Sequence, residues 1–301
     1  MVGGSAKKSA ISKLATRKIV GMTDFRLVSV NVNGVRAAYR KGMGDWLANC
    51  GADIVALQEV RADASQLRQL IDPEWHILHD EAPQKGRAGV ALLSRTPALA
   101  HRTGVGPEEA ASGGRWLEAD YQVGDKSVTV VSVYMHSGEV GTERQEQKWA
   151  MLNAMTERLG ELKNERELVA VVGDLNVGHR ELDIKNWRGN RKKSGFLAEE
   201  RAYFDAFFGA AGETIACVDG GERTGLGWHD VGREFAGEVD GPYSWWSNRG
   251  QAFDNDTGWR IDYHVVTPQL AKAVSDYRVD RYPSYDTRWS DHAPVIADYR
   301  L

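Results

Sequence analysis

Along this chain, short apolar runs rich in β-branched residues end abruptly at polar ones. Leu27-Val28-Ser29-Val30 leads to Asn31 and Asn33, and Asp53-Ile54-Val55-Ala56-Leu57 leads to Gln58-Glu59. Leu168-Val169-Ala170-Val171-Val172 leads to Gly173-Asp174-Leu175-Asn176. Runs of this kind predict strands buried on both faces. Further strands are expected at Gly89 to Leu93, Trp116 to Val123, Val128 to Tyr134, Tyr243 to Ser247, Arg260 to Val266 and Val295 to Tyr299. Their close succession favours antiparallel or mixed pairing. Helices are predicted between them. Asp45 to Cys50 stops at Gly51, a suitable C′ glycine. Within 143–163, Trp149, Leu152, Met155, Leu159 and Leu162 form one apolar stripe, and Glu199 to Phe208 repeats the pattern. Strand–helix–strand segments in both halves predict an α/β protein of two packed mixed sheets flanked by helices. The glycine-interrupted stretch 219–242 lacks such periodicity and is expected to be a long loop over the body.

Composition narrows this picture. A prior of roughly 150 residues per domain would divide 301 residues in two. No Pro/Ser-rich linker interrupts the chain, so one catalytic domain over 25–301 is expected. Residues 1–24 differ in character: Lys7, Lys8, Lys13, Arg17 and Lys18 face the single acid Asp24, giving +4 and leaving −8 for the body of a chain whose total is −4. This basic extension reads either as a disordered arm with weak attraction to DNA or as sequence upstream of a functional start near Met22. No secretory-type apolar core follows the basic residues, and no run approaches the ~20 apolar residues of a membrane span. Cys50 and Cys217 form neither a C-x-x-C pair nor a disulfide framework, which favours a reducing, cytoplasmic compartment.

The polar residues closing the strands are the candidates for chemistry. Residues two apart on a strand share a face, so Asp174 and Asn176 point one way, as do Asn31 and Asn33. A carboxylate at the rim of a core needs a partner. Asp262, beside Ile261 and Tyr263, needs one most; His292 and Arg260 are both candidates. Singly, Asp174 and Glu59 read as loop caps as readily as catalytic groups, and a lone histidine is more often structural than catalytic. Their conjunction is informative.

Together the segments Asn31-Val32-Asn33-Gly34-Val35-Arg36, Leu57-Gln58-Glu59-Val60, Gly173-Asp174-Leu175-Asn176, Arg260-Ile261-Asp262-Tyr263 and Ser290-Asp291-His292-Ala293-Pro294-Val295 resemble the exonuclease III family of the endonuclease/exonuclease/phosphatase superfamily. Narrower marks are Phe196-Leu197 with Glu199-Glu200-Arg201, and Tyr243-Ser244-Trp245-Trp246-Ser247 before Gly258-Trp259-Arg260. The resemblance implies a four-layer α/β sandwich whose loops meet at one metal site. It implies Glu59 as principal Mg²⁺ ligand, with Asn31, Asp174, Asn176, Asp291 and His292 around the metal or scissile phosphate. Hard oxygen ligands suit Mg²⁺, and Mn²⁺ should substitute. Asp174 would orient and deprotonate water, and Asn176 and Asn31 would hold the phosphate. Tyr134 would lie near the phosphate, and His292, held by Asp262, would donate to a non-bridging oxygen. The chain departs from the family where Met135-His136-Ser137-Gly138 replaces the usual proline or asparagine turn.

The implied partner is double-stranded DNA carrying abasic sites or 3′ ends, cut by an intracellular monomer. Asn186 to Lys193, with Arg188, Arg191 and Lys192, combines cations with Trp187; Lys85 and Arg87, and Arg115 beside Trp116, repeat the recipe, and Arg36 adds a cation at the first motif. These are expected to clamp phosphates without sequence readout. Trp245 and Trp259 match positions lining a pocket for a flipped, base-less sugar, whereas Trp246 is expected in the core. Two other readings use the same residues: a phosphatase or phosphodiesterase acting on inositol phosphate, lipid or RNA, and a catalytically silent DNA-binding module. Retention of all the acidic and amide motifs weakens the second.

Overall fold

The computed structural model describes residues 23–106 and 113–301. The expectations for residues 1–22 lie outside the described residues. Strands β1 (Asp24–Asn31), β2 (Ile54–Gln58), β3 (His76–Asp80) and β4 (Val90–Ser94) open the first sheet. Strands β5 (Ala100–Thr103), β6 (Trp116–Val123), β7 (Lys126–Tyr134) and β8 (Val169–Asp174) open the second. A small hairpin, β9 (Thr214–Ala216) and β10 (Glu222–Thr224), follows. Then β11 (His229–Asp230) and β12 (Asp262–Val266) complete the second sheet, and β13 (Val274–Val279) and β14 (Val295–Arg300) the first. The six-stranded sheets run in the orders β13-β14-β1-β2-β4-β3 and β11-β12-β8-β7-β6-β5. Each contains one parallel pair, β1/β2 and β7/β8, among antiparallel neighbours.

Side-chain alternation builds the layers. Leu27 faces a core shared with Ala56, Leu117, Val130 and Ala170, between the sheets. Val28 and Val30 face outward, onto α1 (Val35–Arg40), α2 (Met43–Asn49) and α3 (Ala64–Leu70). On the far side, α4 (Glu143–Glu165) and α5 (Ala198–Phe208) lay Leu152, Met155, Leu159, Phe204 and Phe207 on Val131, Val171 and Val265. Each fully buried Leu or Val contributes roughly 1.5–3 kcal/mol. Two sheets inside two helical layers make the expected four-layer sandwich.

Three expectations need correction. The stretch 219–242 is not a structureless loop: β10, β11 and α6 (Val231–Ala236) lie within it. These elements are too short to show periodicity; β11 is fixed by pairing with β12, and α6 by Asp230 accepting from Arg233 N. Tyr243 to Ser247 is no strand, because its backbone divides its bonds between Trp259 and the 291–293 segment, leaving isolated bridges. The strand expected from Arg260 begins only at Asp262, since Arg260 N donates to Asp183 O instead of joining the ladder. Among the described residues, no helix is long and apolar enough to cross a membrane. A final short helix, α7 (Pro268–Ala271), follows β12.

Candidate active site

Register brings the polar strand ends together. Asn31 stands opposite Gln58, one residue before Glu59; Tyr134 stands opposite Asp174; Asp262 stands opposite Asp174 from the other side. The carboxyl ends of both parallel pairs therefore open on one edge of the sandwich, where α/β folds commonly bind ligands. Gly173, at φ +146, is required here: a Cβ would fall inside contact distance of the Val133 carbonyl. The chain turns sharply at Asn33, Glu59, Arg61 and Asn176, all at φ near +50. Asparagine tolerates this region; for Glu59 and Arg61 the strain is about 1–3 kcal/mol each.

A cleft of 460 Å³ is lined by Asn33, Glu59, Arg61, Tyr134, Asp174, Asn176, Trp245, Trp259, Asp291 and His292, among others. Asn31 Nδ2 donates to Glu59 Oε1 (2.8 Å) and to Asp174 Oδ2 (2.9 Å), so one buried amide joins the two sheets. Asn176 donates twice to Asp174, from its backbone N–H (3.0 Å) and from Nδ2 (3.1 Å). Arg61 pairs with Glu59. Asn33 Nδ2 (2.9 Å) and Trp245 Nε1 (3.1 Å) both donate to Asp291. His292 Nδ1 lies 2.9 Å from Asp262 Oδ2, and Nε2 lies 3.8 Å from Asp174 Oδ2. Asp262 Oδ2 also accepts from Ser244 Oγ (2.6 Å).

Electrostatics separates the roles. Burial pushes Asp174 up to about 7, with Asp262 and Glu59 adding to the effect against His292 and Asn31. Burial alone would discharge His292, but Asp262 and Asp174 outweigh it and hold the imidazolium up to about 10. Burial, then Glu59 and Asp174, raise Tyr134 well above its ordinary value, so its hydroxyl keeps its proton.

A hard divalent cation fits this donor set. Four carboxylates (Glu59, Asp174, Asp262 and Asp291) face three cations (His292, Arg61 and Arg115), and Asp262 and Glu59 add to the burial that raises Asp174. Asp174, Asp262 and His292 also place ligand atoms within 4.8 Å of one another. That trio is already bound together by the His292–Asp262 hydrogen bond, and a charged imidazole repels a metal. The oxygens of Glu59, Asp174, Asp291 and the two amides are the better cage.

The sequence-derived residues divide in two. Asn31, Glu59, Tyr134, Asp174, Asn176, Asp262, Asp291 and His292 come together, with the Trp245 and Trp259 rings meeting edge-on at 6.0 Å on the cleft wall. Trp246 is core, as expected. Arg36, Lys85, Arg87, Arg188, Arg191 and Lys192 are exposed and do not line the cleft. Arg115 is no surface clamp: it packs over the Tyr134 ring at 4.7 Å and donates to the Tyr134 carbonyl. Arg260 does not pair with Asp262; it is fully buried between Asp183 and Asp230. Sequence reasoning gave no role to Asn33, Arg61 or Ser244. Asn33 and Arg61 lie past the ends of β1 and β2 at positive φ, where strand alternation carries no signal.

Residues 28–292 match the Endonuclease/Exonuclease/phosphatase family. An exodeoxyribonuclease of Bacillus subtilis is 34% identical over 90% of this chain and 97% of its own. The DNA repair nuclease APEX1 of Danio rerio is 29% identical over 90% of this chain and 81% of its own. Among solved structures, the 3′ phosphatase NExo from Neisseria bound to product DNA hairpin superposes with a TM-score of 0.74 at 26% identity, covering 91% of this chain and 99% of that one.

Proposed function

Since the chain belongs to the endonuclease/exonuclease/phosphatase family, we propose that it is a DNA-repair nuclease that hydrolyses the phosphodiester 5′ to abasic sites and trims 3′ ends of duplex DNA. The observation that carries this reading is the meeting of Glu59 from the first sheet with Asp174 from the second through Asn31, beside a charged His292. The named relatives act on DNA, which supports the substrate class.

Mg²⁺ is the proposed cofactor, held by Glu59 with Asp291, Asn31 and the Asp174/Asn176 pair, and Mn²⁺ substitutes for it. When bound, it supplies charge neutralisation at the phosphate and a more acidic water. Asp174, oriented by the two Asn176 donors, positions the attacking water and accepts its proton. Asn31 and Asn176 fix the Glu59 and Asp174 carboxylates beside the phosphate. His292, kept charged by Asp262, donates from Nε2 to a non-bridging oxygen whose negative charge grows as the bond to water forms. Tyr134 keeps its proton and donates to the same phosphate. Ser244 and Asp262 fix the imidazole without touching DNA.

The exposed cations Arg36, Lys85, Arg87, Arg188, Arg191 and Lys192 serve as backbone contacts, with Arg188 braced on the Trp187 ring at 4.4 Å. Binding is therefore salt-dependent and weakly sequence-selective. Trp245 and Trp259 form the wall against which a flipped, base-less sugar rests. The protein acts as an intracellular monomer on DNA.

Incubation with duplex DNA bearing one abasic site, with Mg²⁺ or with EDTA, tests the reading. Incision 5′ to the site with Mg²⁺ alone is expected. Turnover of an inositol phosphate without DNA incision would overturn it in favour of the phosphatase reading.

A further inference from the structure

Beneath the cleft lies an ion pair sealed from water: Lys148 Nζ on α4 is 2.8 Å from Glu200 Oε1 on α5, and both side chains are wholly buried. Burying two charges is expensive, and apolar replacement of such pairs is often neutral or stabilising. Stability alone is therefore a poor account of this one.

Most of its hydrogen bonds run toward the cleft, although Gln145 Nε2 on α4 also donates to Glu200 Oε1 (3.1 Å). Lys148 Nζ donates to the carbonyl of Asn176 (2.9 Å). Glu200 Oε2 accepts from Gly195 N (2.6 Å) and Leu197 N (3.1 Å). Ser194 Oγ reaches both Ser137 O (2.7 Å) and Glu200 Oε1 (3.0 Å). Gly138 closes over the pair so tightly that a Cβ would stand 3.0 Å from Lys148 Cδ and 2.6 Å from Gln145 Oε1. Three separate segments are thus tied to one point: the exit of β8, the turn after β7 and the loop before α5. Asn176 sits at φ +50, a conformation asparagine tolerates, and from it the backbone N–H and Nδ2 reach Asp174, with Nδ2 also donating to Met135 O (3.0 Å).

We propose that Lys148 and Glu200 are positioning residues, which hold Asn176 in its left-handed conformation and so aim the Asp174 carboxylate at the attacking water. Neither touches substrate. The inference rests on the hydrolytic reading of the cleft. It accounts for a charged pair where an apolar one would fill the space: only a lysine there can grip the Asn176 carbonyl, and only a carboxylate can both neutralise it and cap Gly195 and Leu197.

The test compares the parent with Lys148→Met/Glu200→Met, measuring thermal unfolding together with kcat and KM on the abasic duplex. The double variant keeps charge balance but leaves the Asn176 carbonyl and the Gly195 and Leu197 N–H groups without these partners, so it should fold yet melt somewhat below the parent. It should cut about 100-fold more slowly, with KM changed by no more than about 3-fold. A folded double variant with parental kcat would overturn the proposal. Should it not fold, Lys148→Gln is measured in the parent and in Asn176→Ala. Action through Asn176 predicts a loss of about 10-fold or more in the parent and under about 3-fold in Asn176→Ala; additive losses overturn it. A parent that leaves abasic DNA intact with Mg²⁺ would refute the hydrolytic reading itself, a separate outcome.

Discussion

Two buried charge clusters lie within three residues of each other on the chain, and they are resolved in opposite ways. At Arg260, the guanidinium donates to Asp183 at 2.7 and 3.1 Å and to Asp230 at 2.9 and 2.7 Å, while Arg233 Nη2 adds a bond to Asp183 (2.5 Å). Two arginines balance two aspartates. Burial would raise Asp183, but Arg260 and Arg233 outweigh it and bring its pKa down to about 2. At Asp262, His292 is the cation shared with Asp174, and burial leaves Asp174 up at about 7. Both aspartates are wholly buried. One is saturated with partners and holds the fold together. The other lacks positive charge, which is what a site that recruits a cation and takes up a proton needs.

The largest expected effect breaks the unsaturated side. Asp174→Asn should slow cutting by roughly 10³-fold in single-turnover assays while duplex affinity stays within about 3-fold. Near-parental cutting would remove Asp174 from its role as base. The balanced side predicts the reverse. Arg260→Met leaves Asp230 without its cation and Asp183 with Arg233 alone, and denaturant titration should show a loss of about 3–5 kcal/mol, with kcat per folded molecule little changed. His292→Gln should lower kcat per folded molecule by about 100-fold and also lower thermal stability, because it leaves buried Asp262 without its cation; a KM raised by as much as kcat falls would mean that His292 binds the ground state instead.

The same contrast has a pH signature. A carboxyl whose folded pKa is raised destabilises the fold as it ionises, so Asp174 withdraws stability as pH climbs from about 4 to about 7. Without metal, Asp174→Asn should therefore melt above the parent at pH 8, with the gap closing below about pH 4. Asp183, with its depressed pKa, contributes stability above the unfolded value that is lost as pH falls toward about 2. Equal melting of Asp174→Asn and parent at pH 8 would erase the distinction between the clusters.

Much of this was legible in the sequence, for identifiable reasons. The strands ending at Asn31, Gln58 and Asp174 are continuous apolar runs, and two-residue spacing placed their polar ends on shared faces. The cost of burying an unpartnered carboxylate left His292 and Arg260 as candidate partners for Asp262, and the family resemblance pointed to His292. Arg260 was not legible: its partners Asp183 and Asp230 come from a 3₁₀ turn and a two-residue strand, neither with periodicity. Arg115 read as a surface cation because its glycine neighbours suggest a loop, yet it folds inward over Tyr134. Lys148 sits on the helix's buried side, where composition gives no sign of a charge that is paired across to α5.

Calorimetric titration of Mn²⁺ or Mg²⁺ into the full-length protein at pH 7, repeated in buffers of different ionisation heat, tests the central claim most directly. The account predicts a binding event that releases protons, because a cation favours the ionised Asp174, and that is lost in Glu59→Gln but kept in Asp183→Asn. Equal metal binding by parent and Glu59→Gln, with no proton released, would contradict it.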